Sequence, residues 1–386
     1  MKRRYLDYSA TTPVKKEVLE AMIPYFTETF GNASSIHTFG QIAKEVLTES
    51  RKKVANLINA NENEIFFTSG GTESDNWALK SIAKVNKNRG KHIITSKIEH
   101  HAILHSCETL ESEGFEVTYL DVDEYGFISL EDLKNAIRKD TILISIMYIN
   151  NEIGTVQNIE EIGKIAKDNN VIFHTDAVQA AGNIKIDVKE LNVDLLSMSS
   201  HKIYGPKGIG ALYIKRGTRI IPFMDGGAQE KKKRAGTENI PAIVGFAKAC
   251  EIAKENLDEH INKLSVLRDD LIEKVSNSID DVKVNGPRDN RHPGNVNFAF
   301  KYIEGEALLL MLDAVGVAAS SGSACTAGSL EPSHVLMSIG LGHEIAHGSL
   351  RLTIGDFTEE EDIDFIVENL IRIVQTLRDM SPLYQG

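Results

Sequence analysis

The sequence predicts an α/β protein, with a large domain built on a mostly parallel sheet under helices and a smaller α/β domain joined to it. Three observations carry this expectation. From Pro13 to Leu257, short apolar runs alternate with longer amphipathic stretches, the pattern left when strands are connected through crossover helices. A long helix-like run, from Ile240 to about Val275, then separates that region from a second set of elements. With 386 residues, 42% of them apolar and 25% charged, the composition is that of a globular protein, and roughly 150 residues per domain gives room for two or three domains.

Taken in order, the runs at 64–68, 92–95, 116–120, 142–148, 171–174, 194–198 and 210–214 read as strands, each rich in Ile, Val, Leu or Phe and bounded by polar residues or glycine. Helical stretches are expected between them, for example over 72–86 and 158–168. The second region holds segments 295–300, 305–312 and 349–354, and the alternation Ser349-Leu-Arg-Leu-Thr-Ile354 is that of a half-buried strand. The predicted domains are therefore residues 13–257, and residues 1–12 together with 258–386. There is no internal repeat and no low-complexity tract. The basic stretch Lys231-Lys-Lys-Arg234 reads as a solvated loop.

The net charge of −12 argues against broad binding to nucleic acid or to an anionic membrane. The N-terminus is basic but lacks an apolar segment behind it, and no stretch reaches the ~18 uninterrupted apolar residues of a membrane span. A cytoplasmic protein is expected. The three cysteines, Cys107, Cys250 and Cys325, form no pairing framework, which leaves the question of whether one is a reactive thiol.

In open parallel sheets, ligands bind beyond the carboxyl ends of the strands. Here those ends are polar: Thr68-Ser-Gly-Gly-Thr-Glu-Ser74, Ser96-Lys-Ile-Glu-His-His101, Asn150-Asn-Glu152, His174-Thr-Asp176 and Ser197-Met-Ser-Ser-His-Lys202. So many on one sheet point to one assembled site. Gly70-Gly-Thr72 opens a helix and suits a phosphate, through free N–H groups and the positive end of the helix dipole; an ordinary N-cap by Ser69 or Thr72 explains the same fragment. Gly-Lys-Ser/Thr and Gly-x-Gly-x-x-Gly are both missing, so neither a nucleoside triphosphate nor a dinucleotide is supported. Asp176, at a buried strand end, needs a cationic partner, and a protonated pyridine nitrogen is one. Lys202, alone, is a surface lysine beside a Gly/Pro turn; with the anion cradle and the acid it becomes an amine placed to join a carbonyl cofactor. The combination points to pyridoxal phosphate, with no metal.

At this point the chain resembles the cysteine desulfurases of the NifS/IscS group, class V aminotransferase-like enzymes dependent on pyridoxal phosphate, nearly end to end. The resemblance is carried by Leu6-Asp-Tyr-Ser-Ala-Thr-Thr12, Thr68 to Asn76, Asn150-Asn-Glu-Ile-Gly154, His174-Thr-Asp-Ala-Val-Gln179, His201-Lys-Ile-Tyr-Gly-Pro-Lys-Gly208, Arg234-Ala-Gly-Thr-Glu-Asn239, Ser320-Ser-Gly-Ser-Ala-Cys-Thr326 and Ser329-Leu-Glu-Pro-Ser-His334. The Arg-Ala-Gly-Thr-Glu-Asn wording and the final Ser381-Pro-Leu-Tyr-Gln-Gly386 lean toward NifS rather than IscS. The resemblance implies the PLP-dependent transferase fold type I (aspartate-aminotransferase-like), with residues 13–257 binding the cofactor and the small domain carrying a catalytic cysteine loop. It implies that Lys202 holds the cofactor and moves protons, Asp176 keeps the ring nitrogen protonated, Gln179 meets the ring hydroxyl, and His100 lies over the ring with a near-neutral pKa suited to acid/base work. His101 is then structural. Gly71, Thr72, Ser199 and His201 match phosphate contacts, and Thr237 matches one donated by a neighbouring subunit, which implies a homodimer. Arg351 matches the substrate carboxylate site, as its planar fork allows, and Asn151 a polar contact near carboxylate and ring hydroxyl.

Cys325 stands among small residues, Ser-Ser-Gly-Ser-Ala-Cys-Thr-Ala-Gly-Ser, which cannot build a core; functional groups concentrate in such loops. The resemblance implies that its thiolate takes sulfur from L-cysteine as a persulfide, leaves L-alanine, and passes the sulfur to an iron–sulfur scaffold or other acceptor. Selenocysteine lyase, or another class V aminotransferase-like activity, is the nearest alternative. Cys107 and Cys250, on helical stretches, are expected to be packing residues. Two departures stand out: Asn32-Ala-Ser-Ser35 lacks a proline that members of the family commonly carry, and Asp356 occupies a position where they often carry a basic residue, so that a surface contact is expected to differ. His343-Glu-Ile-Ala-His347 satisfies a zinc-protease pattern, but the glycines around it deny it a sustained helix, and an accidental match is expected.

Overall fold

The computed structural model describes residues 2–321 and 332–384. Its short first strand, β1 (Arg4–Tyr5), is followed by the strands of the large sheet: β2 (Ile65–Thr68), β3 (His92–Ser96), β4 (Glu116–Leu120), β5 (Thr141–Ser145), β6 (Ile172–Asp176), β7 (Leu195–Ser199) and β8 (Gly210–Ile214). They lie in the order β2-β8-β7-β6-β5-β3-β4, all parallel except β8, which runs antiparallel to both its neighbours. The strands read as continuous apolar runs because both faces are covered. Ile93, Leu143 and Leu195 enter one buried cluster, and their chain neighbours Ile94, Ile144 and Leu196 enter the other. The expected strand 142–148 stops at Ser145; residues 146–148 leave the sheet but stay buried, which is why hydropathy alone extended it.

The run beginning at Ile240 is two helices, Ile240–Glu255 and Leu257–Ser278. Asn239 caps the first, its side chain accepting from the Ala242 N–H at 3.2 Å, and Pro241 sits in the first turn, where its missing N–H costs nothing. The helices part at Asn256, one residue from the predicted domain boundary. Beyond them, β9 (Val282–Val284), β10 (Asn295–Phe300), β11 (Val317–Ala318) and β12 (Ser349–Thr353) follow. β12, β10 and β9 form an antiparallel sheet in that order, and β11 pairs in parallel with β1. Residues including Leu6, Leu267, Phe298, Leu308, Leu352, Ile366 and Leu370 form a separate apolar cluster around this second sheet. Leu6 ties the N-terminal segment to it, and Asp7 bridges to Thr353. Among the described residues no helix is long and apolar enough to cross a membrane.

Both departures noted in the sequence have structural solutions. At 32–35 the Asn32 side chain accepts from the Ser34 N–H at 2.9 Å and its carbonyl accepts from Ser35 at 2.9 Å, so an asparagine turn shapes the segment without proline. Asp356 is not a surface difference. It is partly buried, with His260 and Lys15 at 2.6 and 2.5 Å.

Candidate active site

Ten of the residues singled out in the sequence, Gly71, Thr72, His100, Asn151, Asp176, Gln179, Ser199, His201, Lys202 and Arg351, line one cavity of about 310 Å³. The topology explains the convergence. Asp176 and Ser199 end the parallel strands β6 and β7, Gly71 opens the helix after β2, and His100 follows β3. Arg351 reaches the same space from β12 of the second sheet.

The anion cradle is the start of the helix Gly71–Asn86. Its N-cap is Gly70, which offers no side-chain bond, so capping by Ser69 or Thr72 does not occur and the first-turn N–H groups stay open to a ligand. Glycine at 71 keeps the approach close, since a Cβ there would stand 2.6 Å from Val178 Cγ2 and force that side chain to shift. Ser199 and His201 complete the rim, with His201 Nδ1 3.1 Å from Thr11 Oγ1.

Asp176 is buried, and the Val178 N–H donates to its Oδ1 at 2.9 Å. Burial pushes this carboxyl up, while the Val178 N–H and the Lys202 charge favour its ionised form. Asp75, which the sequence reading did not assign, is a second fully buried carboxyl lining the cavity. Burial and the neighbouring Asp176 push it well above the carboxylate range, and its Oδ1 has no hydrogen-bond partner among the described residues. Behind the pair, His174 bonds Ser145 Oγ at 2.9 Å and Ser197 Oγ at 3.0 Å, and burial lowers it to about 3, so it is neutral. This floor of buried carboxyls is what a protonated ring nitrogen fits.

Lys202 ends a single 3-10 turn, Ser200–Lys202. Its Nζ donates to the carbonyl oxygen of Ala10 at 2.8 Å and to that of Ser9. Ser9 O also accepts from Gln179 Nε2 at 3.0 Å. The N-terminal segment therefore holds both lysine and glutamine through backbone carbonyls, a role with no residue-type signature to read in advance.

His100 corrects one expectation. Its Nδ1 accepts from the Ala102 N–H at 3.1 Å, capping the helix His101–Ser112, which leaves the ring proton on Nε2. Burial, then the Lys202 charge, lower its pKa to about 4, rather than leaving it near neutral. His101 lies outside the cavity, its ring stacked on His105 at 5.1 Å and packed on His334 at 4.9 Å.

Arg351 is buried in β12. Its Nη2 pairs with Asp7 Oδ1 at 2.8 Å and its Nη1 donates to Asn151 O at 3.1 Å. Its Nε is buried without a partner among the described residues, an open donor of the kind that an anionic ligand completes. Asp7 escaped the sequence reading although it lies in one of the recognised segments. Thr237 is exposed and lines no part of this cavity. Cys325 lies outside the described residues. Cys107 and Cys250 are buried on helices, and burial pushes both thiols far up, as expected of packing residues. His343–His347 is a single short helix closed by Gly348. Among the described residues no three His, Cys, Asp or Glu side chains gather as a metal site.

Glu99 is buried beside the floor. It accepts from Ser96 Oγ at 2.6 Å and from the Met147 N–H at 3.0 Å, yet burial pushes it up to about 8. The folded chain thus keeps a proton that the unfolded chain releases above the ordinary Glu value, so this group's contribution to stability is present at low pH and is lost as pH rises toward 8. Glu99→Gln is expected to gain on the parent by about 1 kcal/mol per pH unit between pH 5 and 8, as read from urea unfolding at several pH values. A pH-independent difference would mean that Glu99 is ionised throughout.

The chain matches the family described as Aminotransferase class-V over residues 4–366. It is 58% identical to the protein named "Cysteine desulfurase IscS" of Clostridium botulinum (strain Hall) over 100% of this chain and 97% of that protein. It is 60% identical to the "Cysteine desulfurase IscS" of Methanosarcina thermophila over 98% and 94%. Both relatives carry the IscS rather than the NifS name. Among solved structures, one titled "NIFS-LIKE PROTEIN" superposes with a TM-score of 0.92 at 38% identity, covering 97% of this chain and 100% of that one. Another, "SspA in complex with cysteine", has a TM-score of 0.81 at 37% identity, covering 92% and 100%. The chain belongs to the aminotransferase class-V family, among its cysteine desulfurases.

Proposed function

We infer that the chain is a pyridoxal-phosphate-dependent cysteine desulfurase that converts L-cysteine to L-alanine and hands on the sulfur. The observation that carries this is the single cavity with an open helix N-terminus, a lysine amine, a buried acid floor and an arginine with an open donor. Those groups fit pyridoxal phosphate: Gly71, Thr72, Ser199 and His201 would take its phosphate, Asp176 its ring nitrogen, Gln179 its ring hydroxyl, and Lys202 its carbonyl carbon. When bound, the cofactor supplies a ring that accepts electron density from the substrate α-carbon.

The protein's own groups do the rest. Arg351 binds the substrate carboxylate as a fork, with Asn151 beside it. The aromatic face and Nε2 proton of His100 bound the reacting space, and Lys202, once its amine is free, moves protons at the α-carbon. Cys325 as thiolate attacks the substrate sulfur; the new S–S bond forms as the C–S bond breaks, its electron pair stays with the carbon skeleton, and protonation there gives L-alanine. The persulfide on Cys325 then passes its outer sulfur to an acceptor for iron–sulfur cluster assembly. Asp75→Asn should be tolerated far better than Asp176→Asn, because a neutral carboxyl and an amide differ little.

The test is product analysis. The purified protein, yellow with cofactor, is expected to release alanine and sulfide in equal amounts from L-cysteine with a reductant. A keto acid in place of alanine would make it a transaminating relative, and turnover confined to selenocysteine would make it a lyase.

The same reading includes a cytoplasmic homodimer. It is supported by the exposed apolar residues Ile23, Phe26, Phe30, Ile36 and Phe39, close in sequence and unusual on a monomer's surface, and by Thr237, exposed where a second copy would use it. Ile36→Asp with Phe39→Asp is expected to shift sedimentation from dimer to monomer; an unchanged dimer would move the interface elsewhere. We also take residues 13–257 as the cofactor domain, and 1–12 with 258–386 as the smaller one, on the strength of the two separate sheets and their cores.

A further inference from the structure

Beside Lys202, around a small second cavity that this lysine also lines, lies a charged cluster that plays no part in the chemistry above. Asp356 follows β12, five residues after Arg351. Its Oδ1 is 2.6 Å from His260 Nδ1, its Oδ2 is 2.5 Å from Lys15 Nζ, and its backbone oxygen accepts from Lys263 Nζ at 2.9 Å. Its backbone N–H donates to the Tyr204 hydroxyl at 2.7 Å, and Tyr204 is two residues after Lys202. The other nitrogen of His260 is 2.9 Å from Asn183 Oδ1, while Asn183 Nδ2 donates to the carbonyl oxygen of Gln179 at 3.1 Å. That second bond fixes the Asn183 amide, so both His260 nitrogens face acceptors. That second cavity of about 20 Å³, lined by Lys15, Asn183, Lys202, Tyr204, His260 and Asp356, is too small for a ligand and places the cluster directly beside the lysine.

We propose that Asp356 and His260 are positioning residues, a clasp that sets the lysine-and-glutamine side of the cavity at a fixed distance from the strand carrying Arg351. Two chains of contacts start at the one carboxylate. One runs through His260 and Asn183 to Gln179, and through Ser9 O to Lys202; the other runs along the backbone of β12 to Arg351. Burial alone would raise the Asp356 carboxyl, but His260 and Lys15 hold it down, at about 2, so Asp356 is a carboxylate at neutral pH. The substrate carboxylate must meet Arg351 while its amine faces Lys202. A shift of either side therefore weakens substrate binding before it changes the chemistry.

The inference rests on the cysteine desulfurase reading of the cavity. Its test uses the loaded enzyme and the variants Asp356→Asn, His260→Gln and the double. Binding of the product, L-alanine, is followed by the change in cofactor colour, alongside kcat and KM for L-cysteine, well below the melting temperature. Each single variant is expected to keep its colour, to raise both the alanine Kd and the cysteine KM about five- to twenty-fold, and to hold kcat within about threefold. The double should be no worse than the worse single, since both break the same clasp. Parent-like Kd and KM in a folded variant, or effects that add, would overturn the clasp. If Asp356→Asn does not fold, His260→Gln decides by the same criterion. A parent that neither responds to L-alanine nor turns over L-cysteine overturns the functional reading itself, whereas a responsive parent with unaltered variants overturns only the clasp.

Discussion

Lys202→Ala is expected to release no measurable sulfur from L-cysteine, a loss of at least about 10⁴ in kcat, because one residue serves as both covalent anchor and proton carrier. The two duties are hard to replace from the surroundings. Among the described residues that line the cavity, the neighbouring bases are two histidines, His100, whose Nδ1 is committed to the Ala102 N–H and whose pKa is pressed to about 4, and His201 on the phosphate rim, and carboxyls held in a buried floor. Neither forms a bond to a carbonyl carbon. The phosphate cradle at Gly71 does not depend on the lysine, so Lys202→Ala should still take up pyridoxal phosphate, but lose it and its yellow colour on dialysis. Lys202→Arg keeps the charge near Ser9 O and Ala10 O yet cannot join a carbonyl, and should be as inactive. Alanine production above one thousandth of the parent rate in either variant would remove Lys202 from the centre of the reaction.

Cys325→Ala is expected to behave in the opposite way, keeping the colour and the response to added L-cysteine while sulfur release falls at least about 10³-fold. Neither remaining cysteine can take over. Cys107 and Cys250 are packed inside helices, and burial holds both as thiols, whereas sulfur transfer needs a thiolate that can travel. Labelling of persulfide, followed by digestion, should find the extra sulfur on the peptide with Cys325 in the parent and nowhere in the variant. Sulfide production at the parent rate by Cys325→Ala would mean that the substrate sulfur leaves without a protein nucleophile.

The large sheet was legible because its strands are buried on both faces and so appear as unbroken apolar runs; the errors fell where burial outlasts the strand, as at 146–148, or where one asparagine parts two helices. The site was legible wherever chemistry demands a residue type: a lysine, an acid at a strand end, a glycine at a close approach, an arginine on an alternating strand. It was not legible where the structure uses what every residue has. Ser9 and Ala10 act through carbonyl oxygens, and nothing in a side chain announces that. Asp75 and Asp7 were in view but silent, since their roles depend on which buried neighbour they meet. His100 was expected to have a near-neutral pKa, and it lines the cavity with a lower one, because burial and the charge of Lys202, both products of the fold, set it.

The pairing of the N-terminal segment with the far end of the chain also sets a timetable. Asp7 and Arg351, joined at 2.8 Å, are 344 residues apart, and Ser9 N–H donates to Thr353 Oγ1 at 2.9 Å over the same separation. At about 5–20 residues per second of synthesis, the first dozen residues wait roughly 20–70 s for the strand they will join. The large sheet can assemble meanwhile, but the N-terminal segment, whose Ser9 and Ala10 carbonyls hold the lysine, still lacks the strand it pairs with, and the arginine does not yet exist. Closing so long a loop is slow, so a nascent chain passes through a state with a finished phosphate cradle and an open substrate side. Cofactor capture can precede completion of the site, and the reactive centre is assembled last.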